Sequence, residues 1–255
     1  MKWLINSYQA WNLQGKRLDV GIRYHPVVNY LRRMQQEYGK DLLLCDVGSG
    51  DIGLRYFLQK RCVCVDIDMS EKVYSWGSDV DPIKGSVLDL PLEDGIFDAV
   101  VSLDVIDDIH PDKRKEALSE LFRITNNLIV IGVPYGRDTR RYVGELHEAR
   151  LQGEDMPGWV EIDVQMGTPE EDFDELVSEV MNQYPNSSLF VKENENLNLL
   201  RLRIKLQRMI GPSNPFFRPI FEVISALSKR LNMGVNYRRI YFVALKGGAS
   251  QSESS

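Results

Sequence analysis

The chain has 255 residues, enough for one large α/β domain with a substantial core. Its composition, 43% hydrophobic and 27% charged, is typical of a globular protein, and the sequence contains no 18-residue apolar stretch, which excludes a membrane-spanning helix. The net charge of −6 is unevenly distributed: residues 145–175 hold eleven acids and one base, whereas residues 201–239 hold nine Lys or Arg and one acid.

Hydrophobic patterning in the first half of the chain predicts alternating helices and strands. Helices are expected over 26–37, 54–60 and 111–124, the last with Pro111 in its first turn. Apolar runs predict five strands, within 41–50, 61–68, 82–91, 97–105 and 127–134. This alternation predicts a doubly wound parallel sheet whose ligand lies beyond the carboxyl ends of the strands.

The second half is less regular. A helix is expected over 170–181, and strands over 187–193 and 238–246. Residues 135–167 are too long for a simple connector, and long loops at this point normally cover or shape a substrate pocket. The segment 199–208 is ambiguous, because its apolar and basic residues fit both strand and helix periods.

The cysteines and the two ends of the chain give three further expectations. Cys45, Cys62 and Cys64 lie in apolar runs without the spaced Cys or His partners of a zinc site, so we expect buried thiols and no metal. The N-terminal sequence lacks the apolar core of a signal peptide, which predicts a cytoplasmic protein. The polar tail 247–255 is expected to be disordered.

The stretch "CDVGSGDIG", residues 45–53, fits the G-x-G-x-x-G of dinucleotide-binding turns, but an acid precedes its first glycine. A dinucleotide turn places a pyrophosphate against a helix N-terminus, and Asp46 would repel that anion. A ligand with a cationic amine, such as S-adenosylmethionine, would be attracted instead. Asp66, at the end of the second strand, can accept hydrogen bonds from ribose hydroxyls, which fits both S-adenosylmethionine and NAD.

Four motifs in order resemble the class I S-adenosylmethionine-dependent methyltransferases, of the type 11 kind. They are "LLLCDVGSG", "VCVDI", "GSVLDLPLEDGIFDAVVS" and "ALSELFRITNNLIVIGVP". The resemblance implies a Rossmann-like doubly wound α/β sheet with a helical insertion before the last strand. It also implies S-adenosylmethionine as cofactor and a methyltransferase activity.

The resemblance implies a set of cofactor-binding residues. The turn would pack against the methionine portion, with Asp46 on its amine side, directly or through water. Asp66 would bind the ribose, and Val87 and Leu88 would flank the adenine. Ser86 stands where the family often has an acid. The cofactor-binding set is Asp46, Gly48, Ser49, Gly50, Asp66, Ile67, Val87, Leu88 and Leu103.

Methyl transfer depends on holding the acceptor close to the activated methyl group, and only an acceptor such as a hydroxyl gains from a base. Asp107 and Asp108 stand where relatives carry a Glu-His pair, but they also fit a solvated loop. His110 also fits a helix cap, and we expect Tyr135, His147 and Trp159 near the substrate. The candidate catalytic residues are Asp104, Asp107, Asp108, His110, Tyr135 and His147.

The expected acceptor is a small molecule, a glycan or a lipid-linked compound, methylated on oxygen. Asn/Asp-Pro-Pro-Tyr does not follow the fourth strand, which argues against nucleic-acid bases. The basic segment 201–239 fits an anionic membrane surface, with peripheral binding at the inner face of the membrane. It also fits packing on the domain beside the acidic segment, or a partner.

We expect a single methyltransferase domain over 1–255. Its core would comprise about 26–134, 168–192 and 238–246, with a substrate-side elaboration at 135–167 and a basic helical insertion at 197–237. Two alternative functions stay open: a non-catalytic scaffold that keeps the fold, and an NAD-dependent oxidoreductase.

Overall fold

The computed structural model describes residues 18–50, 53–58, 62–66, 80–210 and 234–245. The strands are β1 Leu44–Val47, β2 Cys62–Asp66, β3 Val80–Lys84, β4 Phe97–Leu103, β5 Thr125–Pro134, β6 Ser188–Asn196 and β7 Asn236–Ala244. The helices are α1 Leu18–Tyr38, α2 Leu54–Leu58, α3 Pro111–Ile124, α4 Arg137–Leu151, α5 Trp159–Met166, α6 Glu171–Met181 and α7 Leu197–Ile210.

The strands form one seven-stranded sheet in the order β3-β2-β1-β4-β5-β7-β6. The first five strands are parallel, while β7 is antiparallel to both β5 and β6. One buried apolar cluster includes Cys45, Val100 and Phe122, and a second includes Leu31, Ala99 and Val101. Because neighbouring residues of a strand point to opposite faces, the two clusters lie on the two sides of the sheet. The predicted doubly wound α/β fold is confirmed.

Helix α1 begins at Leu18, eight residues before the predicted start at Pro26. Proline has no N–H to bond the carbonyl four residues earlier, which usually makes it a first-turn residue. Here the side-chain amide of Asn194 donates to the Ile22 carbonyl at 3.1 Å and so replaces the missing backbone bond. The helix therefore continues through Pro26 and ends at Tyr38, one residue beyond the predicted range 26–37.

Residues 135–167, expected as a pocket-covering loop, form the two helices α4 and α5. They pack with α7 in a third apolar cluster that includes Tyr142, Leu146, Val160, Leu200 and Ile204. The ambiguous segment 199–208 thus lies in helix α7, whose apolar side is buried in the protein. Residues 211–233, with most of the predicted basic insertion, lie outside the described residues.

Asp98 stabilises the start of β4. Burial alone would raise its pKa, but hydrogen bonds from Lys40 Nζ at 2.8 Å, Leu43 N at 2.9 Å and Asn127 Nδ2 at 3.2 Å outweigh burial and lower the pKa. Asp98 therefore has a structural role in the fold. Cys45 and Cys62 are buried free thiols, as expected, and the side chain of Cys64 lies outside the described set. Among the described helices, none combines the length and the apolar composition needed to cross a bilayer.

Candidate active site

The glycine turn follows β1 and is held against its two neighbouring strands. The N–H of Gly48 donates to the carbonyl of Val65 in β2 at 2.7 Å. A Cβ at Gly48 would overlap Val105 Cγ2 and lie 3.2 Å from Val105 Cβ, so the turn is in close contact with the segment after β4. Gly48 has a φ of +77°, which also favours glycine. Only glycine allows the turn to lie this close to Val105.

Asp46 connects the end of β1 to two helices. Its carboxylate is fully buried, accepts the Tyr24 hydroxyl from α1 at 3.1 Å and accepts the N–H of Leu54, the first residue of α2, at 2.5 Å. The geometry therefore makes Asp46 an anchor of the turn.

Three features of the turn fit the methionine end of S-adenosylmethionine. Gly50 has a φ of +53°, and a Cβ built on it meets no atom of the described residues within 4 Å, so the described part of the turn leaves space on that side. Ser49 is 4% exposed and its Oγ has no hydrogen-bond partner, which leaves a polar atom in the turn unsatisfied. The buried Asp46 carboxylate adds negative charge beneath the turn, which favours a cationic amine.

The predicted adenosine-binding residues lie at the same end of the sheet. Asp66 is the last residue of β2, paired with Lys84 of β3, and directly follows the Val65 that bonds Gly48; its side chain is not described. Ile67 lies outside the described residues. Val87 is 7% exposed and Leu88 packs against the same core cluster, while Ser86 Oγ accepts the Leu88 N–H at 3.2 Å. Leu103, 1% exposed at the end of β4, contacts the Gly132 side of β5.

Asp104, directly after β4, forms ion pairs that join distant parts of the chain. Its two oxygens accept Arg238 Nε at 2.8 Å and Nη2 at 2.6 Å, and Arg23 Nε lies 3.1 Å from it. Arg238, on β7 and 2% exposed, also donates to Glu195 on β6 at 2.8 Å. Asp104 and Glu195 have φ values of +55° and +58°, so strained backbone positions both carboxylates on one guanidinium. These ion pairs connect the ends of β4 and β6 to the start of β7, at the end of the sheet where the glycine turn lies.

Next to this network lies an acidic cluster, defined here as Asp107, Asp108 and Asp163. Asp107 and Asp108 follow β4, and Asp163 comes from α5; one oxygen of each lies within 4.8 Å of the others. Burial and the charges of Asp104, Asp108 and Asp163 raise the pKa of Asp107 well above its usual value. Burial followed by repulsion from Asp108 and Asp104 raises the pKa of Asp163 to about 7, and loss of hydration and repulsion from Asp104 raise that of Asp108 to about 6.

Three other candidate catalytic residues do not belong to the acidic cluster, because they contact other residues or lie only near it. His110 is exposed and caps α3, since its Nδ1 accepts the Asp112 N–H at 3.4 Å; its predicted capping role is confirmed. The Tyr135 hydroxyl donates to Asp174, and the Arg239 guanidinium lies 3.5 Å from the Tyr135 ring centre. His147 is half-buried on α4, and its Nδ1 has no hydrogen-bond partner. The structure brings Asp104, Asp107 and Asp108 together, but places neither His110 nor Tyr135 with them.

The sequence analysis missed Asp163, Arg238 and Glu195 as members of this region. Asp163 was counted only as part of an acidic segment, although it lies three residues after Val160 and so shares the buried face of α5. That helical spacing is the signal that could have found it. No local sequence pattern predicts the contact between Arg238 and Glu195, because this contact depends on the pairing of β6 with β7.

The strand order separates two classes of nucleotide-binding protein. A dinucleotide-binding sheet has the parallel order 3-2-1-4-5-6, whereas this sheet inserts an antiparallel β7 between β5 and β6. Together with the glycine turn after β1, this arrangement defines a class I S-adenosylmethionine-dependent methyltransferase fold.

Comparison with known proteins supports this assignment of the fold. Residues 45–128 match the family model Methyltransf_11, described as "Methyltransferase domain". This match agrees with the structure, which has the class I S-adenosylmethionine-dependent methyltransferase fold. No curated protein matches it in sequence.

Several solved structures share the fold. The plantazolicin methyltransferase BpumL in complex with SAH has a TM-score of 0.57 at 11% identity, over 96% of each chain. Magnesium protoporphyrin IX methyltransferase (ChlM) from Synechocystis PCC 6803 with bound SAH has a TM-score of 0.54 at 13% identity, over 95% of this chain and 94% of that one. A Burkholderia thailandensis 1,6-didemethyltoxoflavin-N1-methyltransferase has a TM-score of 0.50 at 15% identity, over 90% and 80% of the respective chains. At these identities the likeness shows the fold.

Proposed function

We propose that this methyltransferase transfers the methyl group to an oxygen atom of a small-molecule, glycan or lipid-linked acceptor. The observation that carries the proposal is the acidic cluster, whose exposed member Asp108 lies three residues after the Val105 that contacts Gly48. A hydroxyl acceptor must lose a proton as it is methylated, and a carboxylate beside the transferred group can accept that proton. An acceptor that is already nucleophilic would need no such group.

Different cofactor-binding residues would hold different parts of the methyl donor, S-adenosylmethionine. When bound, S-adenosylmethionine supplies the activated methyl group. We assign Ser49 and Gly50 to its methionine end, Asp66 and Ile67 to its ribose, and Val87 and Leu88 to its adenine. Because the Asp46 carboxylate is engaged by Tyr24 and Leu54, we assign it an indirect effect on the amine, through its charge or through water.

The acceptor would lie between the segment after β4 and helix α5. Asp107 and Asp108 form one side of this region, and Asp163 comes from α5 on the other. Trp159, at the start of α5, packs on Tyr237 with ring centres 6.3 Å apart, so it also borders the region. The helices that replaced the expected loop therefore give the acceptor pocket a fixed wall, and we place His147 of α4 behind that wall.

A lipid-linked or glycan acceptor, and an anionic membrane surface, are tied to the basic segment 201–239. Within its described part, two of these charges pair with acids of the same chain: Arg201 lies 4.0 Å from Glu145, and Arg239 pairs with Asp174 at 2.8 Å. Arg238 is buried in its own ion pairs. Any contact with a membrane would therefore fall to the other basic residues of the segment, such as the exposed Lys205 and those of 211–233, and a small-molecule acceptor is the form of the proposal we favour.

Replacing Asp108 with Asn is expected to lower kcat for a hydroxyl acceptor by about 10²–10⁴-fold, the usual contribution of a positioned base. Its affinity for S-adenosylhomocysteine should stay unchanged, because no cofactor contact is removed. The measurement uses a methyl-labelled donor and a small-molecule extract, with the product identified by mass spectrometry and fragmentation.

Asp155→Asn is the matched control, since Asp155 is exposed between α4 and α5 and lies outside the acidic cluster. A product labelled on nitrogen or carbon would refute the proposal, as would an Asp108→Asn enzyme with undiminished kcat. Cofactor binding with no labelled product from any extract would instead favour a scaffold role.

A further inference from the structure

The acidic cluster gathers three carboxylates from two separate parts of the chain. Asp107 and Asp108 come from the segment after β4, while Asp163 comes from α5, and one oxygen of each lies within 4.8 Å of the other two. Asp107 is 5% exposed and Asp163 is 7% exposed. Packing like charges together in a buried place is strongly unfavourable unless something neutralises them.

The described residues provide no such neutralisation. No Lys, Arg or His of the described ranges lies within ion-pair distance of these carboxylates, and no other side chain donates a hydrogen bond to them. Asp107 Oδ1 and Asp163 Oδ2 are buried atoms without any hydrogen-bond partner. Buried carboxylate oxygens of native proteins usually have a bonding partner, so these two oxygens are available to bind a ligand at the cluster.

The nearby cations are already engaged. Arg23 and Arg238 balance Asp104 and Glu195, with which they form ion pairs. Arg114 is the remaining positive charge, and its guanidinium donates to the carbonyls of Asp107, Ile109, Met166 and Gly167. Among the described residues, one guanidinium leaves the cluster with an excess of two negative charges when all three carboxylates are ionised.

We propose that the acidic cluster binds one divalent metal cation of the Mg²⁺ or Mn²⁺ type. These ions take oxygen ligands at about 2.0–2.2 Å, so two ligands of one ion lie at most about 4.4 Å apart, close to the spacing of the three oxygens. Mg²⁺ also commonly combines a few carboxylates with water molecules. A divalent ion matches the excess charge, whereas an organic ammonium ion would leave one negative charge unbalanced. The cysteine-based expectation of no metal did not consider this cluster.

The cation would join the segment after β4 to α5 and so fix one wall of the acceptor region. Its further role rests on the proposed function: open coordination positions would hold the acceptor oxygen and make its hydroxyl more acidic. Each carboxylate needs only one oxygen for the ion, so Asp108 would keep an oxygen for the acceptor's proton.

The test is calorimetric titration of the EDTA-treated full chain with MnCl₂ and with MgCl₂, without donor or acceptor. We expect one Mn²⁺ per chain and a higher Tm in its presence, because a ligand that binds only the folded state stabilises it. Asp163→Asn should weaken Mn²⁺ binding at least about tenfold. The same variant without metal should be at least as stable as the parent, because it removes a repulsive buried charge. Asp155→Asn should behave like the parent protein.

Three results would overturn the proposal. They are the lack of Mn²⁺ and Mg²⁺ binding up to about 1 mM, Mn²⁺ binding that Asp163→Asn leaves unchanged, and a Tm increase with ethylammonium chloride equal to that with Mn²⁺. The last result would assign the cluster to an amine. Because the titration contains neither donor nor acceptor, its failure is distinguishable from a failure of the proposed oxygen methylation.

Discussion

Arg238→Met is expected to lower the free energy of unfolding by about 3–5 kcal/mol, the usual loss when one partner of a buried ion pair is removed. Arg238 is 2% exposed and donates to both Asp104 and Glu195. Methionine fills much of the same volume but provides no charge, so the 3% exposed Glu195 loses its ion pair. Urea unfolding at pH 7 measures the effect.

Arg141→Met is the control for removing an arginine as such. Arg141 pairs with Asp138 on the exposed side of α4, and exposed pairs contribute about 0–1 kcal/mol. Adding Glu195→Gln to Arg238→Met should recover part of the stability, because the uncompensated charge is then removed. If Arg238→Met lowers the free energy of unfolding no more than the control does, the buried ion pairs do not stabilise this end of the sheet.

Gly48→Ala is expected to destabilise the protein by about 2–5 kcal/mol, since two separate penalties combine. A left-handed backbone costs a residue with a Cβ about 1–2 kcal/mol, and overpacking adds about 1–3 kcal/mol. The new Cβ would overlap Val105 Cγ2, so either the turn or the segment after β4 must move. Thermal and urea unfolding without cofactor measure the loss, and calorimetry should show weaker S-adenosylhomocysteine binding.

Gly50→Ala separates the two penalties. Gly50 is also left-handed, but its Cβ would meet no atom within 4 Å, so only about 1–2 kcal/mol of backbone strain is expected. Val105→Ala combined with Gly48→Ala should recover stability relative to Gly48→Ala alone. Equal destabilisation by the two glycine substitutions would contradict the close contact between the turn and Val105.

The local sequence pattern was enough to predict those elements whose determining residues lie within one short segment. The helix over 111–124 has its proline, its cap and its apolar spacing within one segment, and its bounds agree with the prediction. The glycine turn was predictable for the same reason, because glycine residues occupy its left-handed backbone positions. The start of α1 was wrong because the bond that lets the helix pass Pro26 comes from Asn194, distant in sequence.

The candidate site was predictable on its cofactor side and much less so on its acceptor side. Gly48 follows β1 and Asp66 is the last residue of the neighbouring parallel strand β2, and strand order brings such positions together. The acidic cluster depends instead on where α5 packs, and glycines at 153 and 158 made that segment resemble a loop. Asp163 and Arg238 are therefore findings of the tertiary structure.

The central claim is that the turn after β1 holds S-adenosylmethionine, and calorimetric titration with S-adenosylhomocysteine and with NAD tests it most directly. We expect the full chain to bind one S-adenosylhomocysteine and no NAD, since the buried Asp46 charge favours a cationic ligand over a pyrophosphate. Binding of NAD alone, or of neither ligand, would contradict the account.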